Sequence, residues 1–211
     1  TTDELDGHTE DILCLARHPT GSIFATGEVG MSPKLLVWST LNMSKPRTEI
    51  QGFFKTAIVA CTFSRDGTMI AAVGADPDHS IALYKWQTGT LVASSRGSQE
   101  KIMCIKWSPF QDYIVTLGVK HCKFWSLDPF RSKRAEFTKG GRLQTMLCCC
   151  FPGPDNTLVG TQDGSLYLFK GFQLSLVIPE AHEVTQALSA SRDVVVSAGK
   201  EGVIKFWTID L

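Results

Sequence analysis

The sequence predicts an all-β fold assembled from repeated four-stranded units, on three observations. Short stretches rich in β-branched and aromatic residues alternate with turns rich in Gly, Asp and Pro. No segment shows the periodicity of an amphipathic helix. An aromatic anchor recurs at intervals of 48, 39, 44 and 38 residues, which straddle the period of about 40–45 residues of a propeller blade. The anchors are Trp38, Trp86, Trp125, Phe169 and Trp207. We therefore predict about five visible blades of a β-propeller.

Each repeat contains strands in the same order. An apolar first strand is followed by a turn, a second strand that ends in small residues, an anchor-bearing third strand and a more variable fourth strand. First strands are predicted at 12–18, 59–64, 102–108, 145–152 and 185–191, and third strands at 34–39, 80–86, 121–127, 165–170 and 203–209. The chain, 1–211, is predicted to be one propeller segment whose repeats cover about 7–51, 52–97, 98–140, 141–180 and 181–211. Residues 1–6 are a candidate outer strand of a closing blade.

One position in the first strands is always small. Because first strands line the crowded centre of a propeller, a large side chain repeated there would overfill it. The third-strand anchor has the opposite role, since it fills the space where neighbouring sheets diverge. Replacing an anchor by Ala should cost about 3–5 kcal/mol. The small residues are Cys14, Ala60, Cys104, Cys148 and Ala187.

Composition argues against several classes of function. The 211 residues include 21 Lys and Arg and 21 Asp and Glu, so no net field attracts nucleic acid or an anionic membrane. No apolar run is as long as the stretch of about 18 residues that a membrane span needs. The polar start lacks both signal-peptide order and an initiator Met, so we expect part of a longer chain. The seven cysteines lie mostly in apolar runs, which favours free thiols in an intracellular protein.

Two repeats open on a residue pair that ends in His. The pairs are Gly7-His8 and Ala181-His182, and the repeats close on Trp38 and Trp207. This pattern resembles the Gly-His…Trp-Asp signature of WD repeats. In that family a His, a strand Ser or Thr, a turn Asp and the Trp form a buried hydrogen-bonded tetrad. The resemblance therefore implies structural roles for the matching residues.

The tetrad positions are filled unevenly along the chain. The turn of the first repeat, residues 30–33, has no Asp, and the fourth repeat has no His. We therefore expect no repeat to hold a complete tetrad. The matching residues are His8, Thr26 and Trp38 in the first repeat, Thr161, Asp163 and Phe169 in the fourth, and His182, Ser197, Glu201 and Trp207 in the fifth.

A finer resemblance covers nearly the whole chain. The strings GHTEDILCLARHPTGSIFATGEVG, GFFKTAIVACTFSRDG, TLGVKHCKFWSL and EAH, in this order, resemble the EMAP-like (echinoderm microtubule-associated protein-like) family. This implies an intracellular scaffold of the microtubule cytoskeleton, with propellers in a tandem pair, some of which bind tubulin. Since WD propellers usually close with about seven blades, we predict a fragment of a larger, tandem propeller.

Catalytic and metal-binding patterns are weak. Cys148, Cys149 and Cys150 are adjacent, and neighbouring strand residues point to opposite faces, so the three cannot surround one ion. No two His have a ligand spacing, and we expect His18 and His79 to be solvated at turns. The chain has no nucleophile-elbow, Walker or dinucleotide motif. We predict no enzyme, metal, cofactor or small-molecule substrate.

Partner-binding candidates fall into two groups. Arg131, Lys133 and Arg134 are predicted to lie on a loop before an outer strand, as a solvated segment or as a contact for an acidic partner such as a tubulin tail. The second group precedes the first strands on one face of the disc; Phe53 and Phe54 could instead be core. That group is Phe53, Phe54, Lys55, Lys101, Arg142 and Glu183.

Two functions fit these predictions. The first is a non-enzymatic protein–protein interaction scaffold of the microtubule cytoskeleton. The EMAP-like resemblance implies that it is cytoplasmic and that it contacts tubulin. The alternative is a WD-repeat adaptor that recognises short peptide motifs, for example as a ubiquitin-ligase substrate receptor. Both predict a protein partner, without nucleic acid or membrane.

Overall fold

The fold is all-β. The computed structural model describes residues 6–42, 44–138, 140–191 and 194–208, and its regular secondary structure consists of nineteen strands in this described part. They form five antiparallel sheets, in which each strand pairs with its neighbour along the chain. The chain divides into two compact units, Thr1–Lys101 and Ile102–Leu211.

Unit 1 contains two four-stranded sheets, blades 1 and 2. Short turns and β-branched or aromatic residues make consecutive strands fold back as hairpins. Blade 1 consists of β1 (Ile12–Arg17), β2 (Ile23–Glu28), β3 (Leu35–Ser39) and β4 (Thr48–Ile50). Blade 2 consists of β5 (Ile58–Phe63), β6 (Met69–Gly74), β7 (Ile81–Lys85) and β8 (Thr90–Ser95). Strand β5 packs against β1 and β2, so the first strands of the two blades are neighbours.

Unit 2 contains blades 3, 4 and 5. Blade 3 consists of β9 (Ile102–Trp107), β10 (Tyr113–Gly118), β11 (His121–Leu127) and β12 (Phe130–Arg134). Blade 4 consists of β13 (Met146–Gly153), β14 (Asn156–Thr161), β15 (Leu166–Lys170) and β16 (Gln173–Ile178). Blade 5 has three described strands, β17 (Thr185–Ser191), β18 (Val194–Gly199) and β19 (Ile204–Thr208). Strand β13 packs against both β9 and β17.

The predicted all-β repeat architecture is confirmed. Five antiparallel sheets of three or four strands succeed one another along the chain, and the first strands of adjacent blades pack together inside each unit. The candidate outer strand at 1–6 lies, for residues 1–5, outside the described residues. In the described part of the chain, no helix is long and apolar enough to cross a membrane.

The first strand of every blade carries a β-bulge at the same place. The pairing register skips one residue between Ile12 and Cys14 in β1, and the equivalent skip recurs in β5, β9, β13 and β17. Such bulges bend a strand and change where its side chains point. The predicted small residue follows the skip in all five blades. In β17 this residue, Ala187, is exposed.

Four of the five aromatic anchors are buried as predicted. Trp125 and Phe169 are almost fully buried, and Trp38 and Trp86 are nearly so. Trp207 is half-buried on β19. Around the anchors, aliphatic side chains of the second and third strands fill the core of each unit, which accounts for most of the stabilising burial.

Candidate functional site

A complete hydrogen-bonded network occupies the edge of blade 1. The indole Nε1 of Trp38 donates to Thr26 Oγ1 at 2.7 Å, and His8 Nε2 lies 2.6 Å from the same oxygen. His8 Nδ1 lies 2.7 Å from Glu28 Oε2. A tautomer of His8 with a proton on Nδ1 donates to the carboxylate of Glu28, which can only accept, and leaves Nε2 to accept from the threonine hydroxyl.

Glu28 takes the place of the missing turn aspartate. Its carboxylate also accepts hydrogen bonds from the backbone N–H of Thr9 at 3.1 Å and of Lys34 at 3.0 Å. Burial raises the pKa of Glu28, but the hydrogen bonds from His8, Lys34 and Thr9 outweigh it and hold this pKa below its usual value. Glu28 thereby ties the loop before β1 to the β2–β3 turn.

Blade 5 holds the equivalent network. Trp207 Nε1 donates to Ser197 Oγ at 2.8 Å, and His182 Nε2 lies 2.7 Å from this hydroxyl. His182 Nδ1 hydrogen-bonds to the carboxylate of Glu201, as its position near the expected Asp indicated. The expectation that no repeat has a complete tetrad was therefore wrong. A glutamate replaces the aspartate in both blades, and in blade 1 it comes from the end of β2 rather than from the turn.

Blade 3 builds a related network with a histidine from a different place. Trp125 Nε1 donates to Thr116 Oγ1 at 2.8 Å, and His121 Nε2 lies 2.8 Å from the same oxygen. His121 is the first residue of β11 and is buried. Sequence reasoning gave it no role, because the family pattern places the histidine before the first strand. The sequence signal that could have identified His121 is the Thr-x₄-His-x₃-Trp spacing of Thr116, His121 and Trp125.

His18 is buried, which corrects the expectation that it is solvated, while His79 is partly exposed. His18 is buried, and its Nε2 lies 2.8 Å from the carbonyl oxygen of Gly67. Trp86 Nε1 donates to the same oxygen at 2.6 Å, and a carbonyl has two lone pairs for both donors. His79 is half-buried, and its Nδ1 lies 3.1 Å from Ser98 O. Blade 2 thus fastens its anchor to the backbone of a turn.

Blade 4 lacks the histidine network. The hydroxyl of Thr161 donates to Asp163 at 2.7 Å and lies 2.8 Å from Ser165 O, while Phe169 is buried without a polar contact. Burial raises the pKa of Asp163, but hydrogen bonds with Thr161, Gln144 and Ser165 outweigh this effect, so the pKa of Asp163 lies below its usual value. In all five blades these polar groups join strands and turns. Among the described residues, no group of three His, Cys, Asp or Glu could hold a metal ion.

The basic cluster forms a strand rather than the predicted loop. Arg131, Lys133 and Arg134 belong to β12, the outermost strand of blade 3, and all three are exposed. The hairpin from β11 is tight, since Leu127 pairs with Phe130. Lys123 on β11 pairs with Arg134. Burial and the charge of Arg134 lower the pKa of Lys123, so positive charge is concentrated at this edge.

An open groove of about 400 Å³ lies beside β12. Its wall includes Lys133, whose Nζ lies 3.2 Å from the centroid of the Phe172 ring and 3.8 Å from Glu136. The first contact is a cation–π interaction, which orients the ammonium group. The groove thus combines two basic side chains and the carboxylate of Asp112 with apolar ring surface. Its lining includes Tyr113, Trp125, Arg131, Lys133 and Phe172.

The predicted loop residues have different environments. Phe54 is buried in the core of unit 1 and packs edge-to-face on the half-buried Phe53 at 5.0 Å between ring centroids. Of the two predicted roles, partner binding and core packing, Phe54 therefore has the core role. Lys55 and Lys101, both in unit 1, are exposed.

Arg142 and Glu183 are both exposed in unit 2. Arg142 Nη2 lies 3.5 Å from Asp163 in the β14–β15 turn, and the backbone N–H of Glu183 donates to Glu201 at 3.2 Å. The same β14–β15 turn receives a hydrogen bond from His182 N to Gly164 O at 3.0 Å. The loops before β13 and β17 therefore meet at one edge of unit 2.

The fold and its histidine networks define a WD-repeat β-propeller. The structure titled "Structure of U3-55K" matches with a TM-score of 0.80 over 96% of this chain and 64% of its own, at 17% identity, and supports the fold. The family model described as echinoderm microtubule-associated protein first beta-propeller matches residues 6–211. The chain belongs to this family.

Relatives carry the family name. The 77 kDa echinoderm microtubule-associated protein of Lytechinus variegatus is 26% identical over 97% of this chain and 33% of its own length. Echinoderm microtubule-associated protein-like 1 of Homo sapiens is 29% identical over 96% of this chain and 27% of its own. Echinoderm microtubule-associated protein-like 2 of Mus musculus is 28% identical over 97% of this chain and 34% of its own length. The chain thus spans about a third of the length of these relatives.

Proposed function

We propose that this propeller segment is a non-enzymatic scaffold that binds a protein of the microtubule cytoskeleton through the basic edge of blade 3. The related proteins are named as microtubule-associated, and the exposed strand β12 is the observation that supports the choice of surface. We accordingly expect the protein in the cytoplasm, on the cytoskeleton. The contact would be to tubulin, whose tails are acidic.

The β12 edge suits an extended acidic segment. Strand β12 ends the sheet order of blade 3, and the first described pairing on its outer side, Glu136 with Gln173, comes only after the strand has ended. Among the described residues, Arg131 and Arg134 have no carboxylate within ion-pair distance. An incoming peptide can add to a free strand edge through main-chain hydrogen bonds. Its carboxylates would then pair with guanidinium groups, which bind carboxylates in two-pronged geometry.

Charge reversal of β12 in the full-length protein tests this proposal. We expect Arg131→Glu with Arg134→Glu to weaken co-sedimentation with microtubules about tenfold or more at low salt, since both attraction and strand addition are opposed. Wild-type binding should fall steeply with added salt, because exposed charges are screened. The control pair, Lys85→Glu with Lys170→Glu, makes the same change in net charge at exposed strand ends of other blades.

Microtubules stripped of their acidic tails by proteolysis provide the second arm. They should bind wild-type protein as weakly as intact microtubules bind the β12 variant. Equal pelleting of the β12 and control variants would contradict the proposed surface. No pelleting of the wild-type protein at low salt would contradict the microtubule function itself.

A further inference from the structure

Cysteines occupy one structural position at two blade seams. Within each unit, the residue after the bulge in blades 1 and 3 lies toward the next blade, near the residue that follows the small position there. At the seam of blades 1 and 2 these two residues are Cys14 and Cys61. At the seam of blades 3 and 4 they are Cys104 and Cys149.

The first pair is in direct contact. The Sγ atoms of Cys14 and Cys61 are 3.6 Å apart, although 47 residues separate them in sequence. Cys14 Sγ also lies 3.4 Å from Ile58 O on β5, which holds the thiol toward blade 2. Cys61 is buried and Cys14 is half-buried. A disulfide, at about 2.05 Å, requires the sulfur atoms to approach by about 1.5 Å.

The two thiols of this pair differ in exposure and in the direction of their pKa shifts. The hydrogen-bond contact between the two thiols lowers the pKa of Cys14, while the same contact and burial raise the pKa of Cys61. The lower pKa belongs to the more accessible sulfur, and thiolate character with access is what makes a cysteine reactive. Cys14 is thus the group that an oxidant reaches first.

The second pair repeats this asymmetry. Cys104 packs against the core cluster that contains Cys149, and the interaction of the two thiols lowers the pKa of Cys104 and raises that of Cys149. Cys104 is half-buried and Cys149 is buried. Lys106 Nζ donates to Cys149 O at 2.7 Å, and its charge also favours the Cys104 thiolate.

The seam of blades 4 and 5 is a natural control. Cys148 occupies the position of Cys14, and its Sγ lies 3.8 Å from Thr185 O, the counterpart of Ile58 O. The position equivalent to Cys61 and Cys149 holds Leu188, which belongs to the core cluster against which Cys148 packs. Burial raises the pKa of Cys148 to about 12. This seam therefore has a cysteine at the first position and no cysteine at the second.

We propose that Cys14–Cys61 and Cys104–Cys149 are redox-modification sites, at which a hydroperoxide oxidises each thiol pair to a disulfide that joins neighbouring blades. The thiolate of the accessible cysteine attacks the peroxide; an S–O bond forms, the O–O bond breaks, and the leaving alkoxide or hydroxide takes up a proton. The buried cysteine then attacks the sulfenic sulfur. An S–S bond forms, the S–O bond breaks, and the released hydroxide takes the second thiol proton as water. Two sulfurs are oxidised by two electrons in total, and one peroxide is reduced.

Mass spectrometry of the full-length protein tests the proposal. The reduced, folded protein is exposed to hydrogen peroxide, its free thiols are alkylated, and it is digested with trypsin. We expect the peptide ending at Arg17 to become linked to the peptide ending at Arg65, about tenfold faster than Cys148 is oxidised. Dithiothreitol should reverse the link. The result is independent of the proposed microtubule function, since no microtubule is present.

Two variants identify the order of steps. Cys61→Leu recreates the seam of blades 4 and 5, and Cys61→Ala serves if the larger side chain disturbs folding. In either variant, Cys14 should accumulate as sulfenic acid and react with a cyclic diketone probe. Oxidation of Cys14 and Cys148 at equal rates, a disulfide from Cys14 to another cysteine, or cross-linking only after loss of the native circular dichroism would each overturn the proposal.

Discussion

At the residue scale, the hydroxyl of Thr26 is the hub of the blade 1 network. It lies within hydrogen-bond distance of both Trp38 Nε1 and His8 Nε2. Thr26 therefore connects the third-strand anchor to the loop before β1, and Ser197 does the same in blade 5. A valine has nearly the shape of threonine and no hydroxyl, so it isolates the contribution of this oxygen.

We expect Thr26→Val to reduce the free energy of unfolding by about 2–6 kcal/mol. Two polar groups would lose their partner, and each buried unpaired group costs about 1–3 kcal/mol. Urea denaturation of the 211-residue chain measures the difference. The exposed Thr90→Val should change stability by less than about 0.5 kcal/mol, and similar losses in both variants would argue against the hub.

Glu28 should make stability depend on acid pH. Its pKa in the folded protein lies below the ordinary value of 4.5. The unfolded chain therefore binds the proton more tightly, and the stabilisation present above pH 4.5 is lost as the pH falls through the lower folded value. We expect Glu28→Gln to lower Tm at pH 7 and to flatten its decline toward pH 3. Thermal melts across this pH range measure Tm, and Glu100→Gln at an exposed position is the control. A parallel decline of Tm in the wild-type protein, Glu28→Gln and Glu100→Gln would contradict this prediction.

Residue roles were predictable only where the family pattern fixes them. His8, His182 and both partner hydroxyls could be predicted, because the resemblance assigns them by position. Glu28 and His121 could not, since the backbone brings these side chains to tetrad positions from elsewhere in the repeat. His18 was also missed because its turn in blade 1 packs against Gly67 of blade 2, and sequence spacing does not show such contacts.

At the element scale, two glycines allow neighbouring blades to approach. Gly27 on β2 pairs with Cys14, and Gly160 on β14 pairs with Cys148. A Cβ at Gly27 would lie 2.7 Å from Ile58 Cγ2 and 2.8 Å from Cys14 Sγ. A Cβ at Gly160 would lie 2.5 Å from Thr185 Cγ2. Both positions therefore require a residue without a side chain.

We expect Gly27→Ala and Gly160→Ala each to cost about 1–3 kcal/mol, the usual cost of overpacking a core. Gly171→Ala is the comparison, because a Cβ there meets nothing within 4 Å and only its positive φ of 58° opposes the change. Chemical denaturation ranks the variants. If Gly171→Ala proved the most damaging, blade packing would not be the limiting factor.

The strands themselves were largely predictable, with one informative failure. Alternating apolar runs located the first three strands of each blade, whereas Phe130–Arg134 contains four polar residues and was predicted as loop. Lys and Arg have low β propensity but are common on edge strands, where they oppose edge-to-edge pairing. A strand held by one neighbour therefore carries little of the apolar pattern by which strands are recognised.

At the scale of the whole molecule, net charge and apolar exposure favour self-association near neutral pH. The formal net charge is zero and the pI is about 6.9. Leu15 on β1 is 67% exposed and Phe206 on β19 is 74% exposed. A protein without net charge has little electrostatic repulsion between copies, and exposed apolar side chains then attract.

We expect light scattering by the 211-residue chain to be maximal near pH 7 and to decrease on either side. Leu15→Lys with Phe206→Lys should lower it most, because this pair adds charge and removes apolar surface. Gln51→Lys with Thr90→Lys adds the same charge at exposed polar positions and should lower it less. Identical scattering of the two variants would assign the effect to charge alone.

The bulge shared by all five first strands has a consequence for how such a chain can be rebuilt. Because the pairing register skips one residue at the same place in every first strand, each segment between successive bulges runs from one backbone position to its equivalent in the next blade. A chimera joined at these points keeps each inward side chain facing inward, whichever blade supplies it. Exchange of these segments would then move a cysteine to a chosen seam or remove it, with the backbone geometry left as it was.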